Sequence, residues 1–135
     1  MPGRSFVAII IIITLSVLLL RIAIEQIIKI NISQNESVAL ATLKSISTAL
    51  ENYAKDNNNT FPSGLPILTK TTPAYLDRDY ISGSPVKGYN YSCSRLDAAG
   101  YSCSATPVKC KLTGKLIYNI ITGGSLVSEE CGKRD

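Results

Sequence analysis

The chain opens on a long apolar run. From Phe6 to Leu20 no residue is charged, and only Thr14 and Ser16 are polar. Ser5 to Leu20 gives 16 uncharged residues, about 24 Å of helix at about 1.5 Å per residue, against a bilayer core of about 30 Å. Arg4 and Arg21 bracket the run, and their long stems can snorkel to the interfaces, which closes most of that deficit. Beyond it, Arg21, Glu25 and Lys29 step by four and fall on one helical stripe, with Glu25 before Lys29 in the favourable i,i+4 order. Around them Ile22, Ile24, Ile27, Ile28, Ile30 and Ile32 leave the helix apolar on nearly every face. Such a surface either packs among other helices or rests in the lipid interface. A cleavable secretory signal fits less well, because no small-x-small site precedes the charged stripe and the helical pattern continues past it.

No Pro or Gly occurs between Arg4 and Thr60, so the pattern permits one helix from about Ser5 to Lys55. Asn31, Ser33, Gln34 and Asn35 are its weakest segment and the place for a break. In the second half Ala39, Leu43, Ile46, Leu50 and Tyr53 form an apolar stripe, with Lys44, Thr48, Glu51 and Lys55 away from it and Glu51–Lys55 as an i,i+4 pair. Barely two heptads are present, so the stripe is expected to pack on the protein's own sheet. Asn57–Asn59, Pro62 and Gly64 then end the helix. Leu65, Leu68, Tyr75 and Leu76 are expected to anchor a helical turn and loop onto it. What remains alternates with period two. "YNYSCSR" and "YSCSA" flank "LDAAG", and "KLIYNII" and "SLVSE" flank "TGG". These read as two hairpins, with Tyr89, Tyr91 and Cys93 on one strand face and Leu116, Tyr118 and Ile120 on another.

Composition narrows the chemistry. The chain has no histidine and no tryptophan, which removes the commonest general base and metal ligand. CxxC, HExxH, GxSxG and phosphate-loop patterns are absent from the sequence. No catalytic, cofactor-binding or metal-ligating residues are therefore expected. The net charge is +4, and beyond Val38 there are 11 basic and 8 acidic residues, a balance that points to no nucleic-acid partner. Lys109, Lys111 and Lys115 form the densest basic cluster and read as a solvated loop. Together with the Lys133–Arg134 tail they are the whole case for DNA binding.

Four cysteines, Cys93, Cys103, Cys110 and Cys131, lie in the β region. Their spacing does not suit zinc, and an even count in a small tethered domain suggests disulfides in an oxidising compartment. If the first hairpin turns about Ala98, Cys93 stands opposite Cys103, within disulfide reach. That leaves Cys110 for Cys131.

An apolar helix continuing as an amphipathic one, covered by a small antiparallel sheet, resembles type IV pilins and the pseudopilins of type II secretion. "ALATLKSISTALENYAKDNNNTFPSGLPIL" and "PAYLDRDYISGSPVKGYNYS" are similar to the helix, turn and loop of major pseudopilins. The resemblance runs from the long helix to the first hairpin and implies an α+β, pilin-like fold. Gly3 matches the glycine that precedes the leader-cleavage point in prepilins. Arg4 follows it, however, and Ala8 stands where the family carries a glutamate. The acidic calcium-binding loop of many major pseudopilins is not evident either.

Two parts are expected: residues 1–35 as anchoring and assembly helix, and residues 36–135 as a soluble domain. The expected function is a structural subunit of a type IV pilus-like filament or type II secretion pseudopilus, self-assembling through the N-terminal helix alongside other pilin-like or secretion-machinery components. Arg21, Glu25 and Lys29 are its candidate assembly charges. The competing reading is an uncleaved, membrane-anchored accessory or binding protein that keeps the fold without polymerising. Either places one span in the inner (cytoplasmic) membrane and the C-terminal domain outside the cytoplasm.

Overall fold

The computed structural model describes residues 2–133. Helix α1 runs over Pro2–Asp56, followed by the short helix α2 (Leu65–Lys70) and strands β1 (Tyr89–Asp97), β2 (Gly100–Pro107), β3 (Leu116–Ile121) and β4 (Ser125–Glu130). The strands form one antiparallel sheet in the order β1-β2-β3-β4, so the fold class is α+β. The chain divides into two compact units, Met1–Asn31 and Ile32–Asp135.

In the second unit the C-terminal half of α1 supplies one wall of the core. Ala39, Leu43, Ile46 and Leu50 are fully buried and cluster with Leu65, Leu68 and Leu76 from the loop and with Tyr89, Tyr91, Tyr101, Tyr118 and Ile120 from the sheet. The stripe ends differently from expectation. Ala54 takes the inner position, while Tyr53 is half-buried at the rim, its ring edge-on to Tyr75 at 5.6 Å. Four residues past Leu50 the narrow Ala54 fits into the core, and the larger ring one position earlier lies at its margin.

Helix α1 is continuous, as the absence of Pro and Gly permits, and it is not interrupted at Asn31–Asn35, where a break could have occurred. Asn35 donates through Nδ2 to the Thr113 carbonyl at 3.0 Å, and Glu36 Oε1 accepts from the Lys115 backbone N–H at 2.8 Å. Side chains bonded outward in this way do not compete for the helix's own backbone groups.

The first hairpin is tighter than "LDAAG" implied. Asp97 pairs with Gly100 across a two-residue turn, and Asp97 Oδ1 accepts from the N–H groups of Ala99 and Gly100. A regular ladder from that turn would oppose Cys93 to Ser104. A bulge between Cys93 and Arg95 takes up one residue and restores Cys93 opposite Cys103. The second hairpin turns over Thr122–Gly124, where Gly123 and Gly124 both have positive φ, a conformation glycine adopts without penalty.

Candidate membrane anchor and assembly helix

The first unit is helical throughout its described residues, and its large side chains are open apart from the partly covered Ile28. Phe6 is 65% exposed, Ile12 63% and Leu19 65%, and Ile22, Ile24, Ile27 and Ile30 are each half exposed or more. The helix is long and apolar enough to cross a membrane. The two hydroxyls within Phe6–Leu20 are satisfied internally: Thr14 donates to the Ile10 carbonyl and Ser16 to that of Ile12, both at 2.8 Å. No unmet hydroxyl donor is thereby presented to a hydrocarbon surround, where it would be costly.

Arg21, Glu25 and Lys29 are exposed on this helix. Among the described residues Glu25 makes no ion pair with either cation, so the i,i+4 contact expected from spacing does not form within the chain. Its carboxylate is open to an external partner. Gly3 lies in the first turn of α1 with open space around its Cα.

The second unit carries polar devices that spacing alone did not reveal. Glu51, expected on the solvent face beside Lys55, instead reaches the sheet. Its Oε1 accepts from the Tyr101 hydroxyl and from the Gly123 N–H, each at 2.7 Å. Since Tyr101 gives its one proton to Glu51, the buried Ser47 hydroxyl, 2.7 Å away, donates to the Tyr101 oxygen. Burial, and then the Glu51 carboxylate, push the Tyr101 hydroxyl up to about 12, with the Ser47 bond acting in the opposite direction. The sequence signal for this latch was the Ser47–Glu51 spacing of four at the border of the apolar stripe. That spacing cannot say which neighbour Glu51 prefers.

Disulfides join Cys93 to Cys103 and Cys110 to Cys131. The first crosses β1 and β2. The second ties the C-terminal segment to the loop before β3, where the Cys131 N–H donates to the Lys115 carbonyl at 2.8 Å. Among the described residues no group of histidine, cysteine and carboxylate side chains is arranged to hold a metal ion. Lys109, Lys111, Lys115 and Lys133 are all exposed, and Arg134 lies outside the described residues.

These features define a class: a small disulfide-bonded α+β domain on a helix with membrane-spanning character. Protein-family profiles, curated proteins and solved structures yield no match to this chain.

Proposed function

We propose that this protein is a pilin-like structural subunit, anchored in a membrane by Phe6–Leu20 and assembling through its N-terminal helix into a type IV pilus-like filament or secretion pseudopilus. The observation that carries the reading is the exposed apolar surface along Ile22–Ile30 surrounding three charges that make no ion pair among the described residues. Packed among copies of itself, that helix buries its isoleucines, and each charge then needs a partner of opposite sign. A Glu25 placed between cations of neighbouring helices meets that need and sets the register of the bundle. Losing one member of a desolvated pair costs about 3–5 kcal/mol, against about 0–1 kcal/mol for a pair in water.

Glu25→Gln should therefore abolish assembly while leaving membrane insertion and domain folding intact. Single cysteines introduced as Ile24→Cys or Ile28→Cys should crosslink into oligomer ladders in native membranes, and the Glu25→Gln background should remove the ladders. Monomers alone from the parent chain would instead support the second reading, a membrane-anchored accessory protein that does not polymerise. Ala8 favours that reading, since it stands where prepilins carry a glutamate.

A further inference from the structure

Three loops of the second unit gather around the residues at which α1 enters it. Gly88 lies so close to Asn35 and Thr113 that a Cβ on it would meet both side chains, and its carbonyl accepts from the Val108 N–H at 2.9 Å. Asn35 and Glu36 bind the 113–115 stretch, and Cys131 is tied to Cys110. Ile32, one turn before Glu36, is only 5% exposed. Segments 86–88, 108–115 and 131–133 thus form a cap at the start of the unit. They carry five lysines and no acid. Lys87, Lys109, Lys111, Lys115 and Lys133 are all exposed. Between them stand Val108 and Leu112, 44% and 54% exposed.

Three carboxylates neighbour the cap. Glu36 is engaged by the Lys115 N–H, and Glu130 pairs with Lys133 at 3.4 Å. Glu129 is exposed opposite Ile117. The cap remains a net cation with two apolar tips, the combination that favours the interfacial region of an anionic bilayer.

We propose that this cap docks onto anionic phospholipid headgroups of the membrane that holds α1 while the subunit is unassembled. The inference rests on the anchoring reading of Phe6–Leu20. Before assembly Ile22–Ile30 has no protein partner, and the lipid boundary is where that surface is least costly. With the span ending at Leu20 and Arg21 reaching the interface, Ile22–Ile30 follows the hydrocarbon core directly. The cap binds Asn35 and Glu36, only a few residues along the chain from Ile30, so its lysines are tethered by short connectivity to that boundary, and the field of an anionic surface extends over a Debye length of about 8 Å.

The test uses the full chain in nanodiscs at one copy per disc, made either of phosphatidylcholine alone or of equal parts phosphatidylcholine and phosphatidylglycerol. Lysine acetylation rates are read by peptide mass spectrometry. An anionic surface holds lysine in its unreactive ammonium form, so Lys109, Lys111 and Lys115 should react about fivefold more slowly in the phosphatidylglycerol discs, equivalent to about 1 kcal/mol per lysine. Lys44 and Lys55, on α1 beyond the cap, should change little. Equal rates in both discs would overturn the docking. So would a slowing in phosphatidylcholine discs that appears only when duplex DNA is added, which would make the cap a nucleic-acid surface. Retention of the chain by native membranes after an alkaline wash is read separately. Loss there means that the anchoring reading itself has failed.

Discussion

Glu51 is where a single side chain does most to join helix and sheet. One carboxylate oxygen receives both the Tyr101 hydroxyl and the Gly123 N–H. Glu51→Ala removes both charge-assisted bonds, leaving Tyr101 with Ser47 alone and the exposed Gly123 N–H to water, and should cost about 1–3 kcal/mol in thermal or denaturant unfolding. Tyr101 adds a pH dependence. Its folded pKa of about 12 lies above the ordinary 10.0, so its contribution is complete below pH 10.0 and is lost as pH rises through about 12. Tyr101→Phe should flatten that alkaline limb, measured as unfolding free energy against pH. Gly114 is the second sensitive position, since a Cβ there would overlap the Tyr89 ring. Gly114→Ala should destabilise by about 1–3 kcal/mol, an overpacking cost seen as a lowered melting midpoint.

Among the elements, the two halves of α1 obey different rules. The half that follows Ile32 has one apolar face and a sheet to cover it. Ile46→Ala opens a cavity in the core and should cost about 2–5 kcal/mol, whereas Lys44→Ala on the exposed face should stay within about 0.5 kcal/mol. Parallel melts of the two variants check the face assignment, and equal effects would refute it. The half that precedes Ile32 has no face to hide, and the described residues of this chain do not cover it.

For the whole molecule, the two disulfides and the anchor have to agree on a compartment. Disulfides persist where thiols are oxidised, which places the second unit outside the cytoplasm in our reading. A cysteine introduced as Asn57→Cys, at the exposed end of α1, should be labelled by an impermeant maleimide in intact cells. Labelling confined to lysed cells would reverse the orientation. Cys110→Ser with Cys131→Ser should cost about 2–4 kcal/mol by releasing the closed loop in the unfolded chain, and should loosen the cap that holds Asn35 and Glu36.

Much of this protein is written in local pattern. The helix, the two hairpins and the buried seam of Leu43, Ile46 and Leu50 follow from periodicities that depend only on which residues lie three, four or two apart. The pairing of Cys93 with Cys103 was legible for a similar reason, since equal arms about Ala98 oppose them. The tertiary structure reaches the same pair by another route, a two-residue turn corrected by a bulge, because backbone hydrogen bonds and not arm lengths choose the turn. What lay beyond the sequence was every choice among competing partners. Glu51 had Lys55 nearby on its own helix, yet bonds Tyr101 and Gly123, some fifty and seventy residues away. Asn35 looked like part of a weak segment of the helix, yet it and Glu36 bond the loop at Thr113–Lys115. Spacing tells which groups are neighbours along an element, but only the packed fold brings in the distant donor that a half-buried carboxylate or amide prefers to a solvated charge.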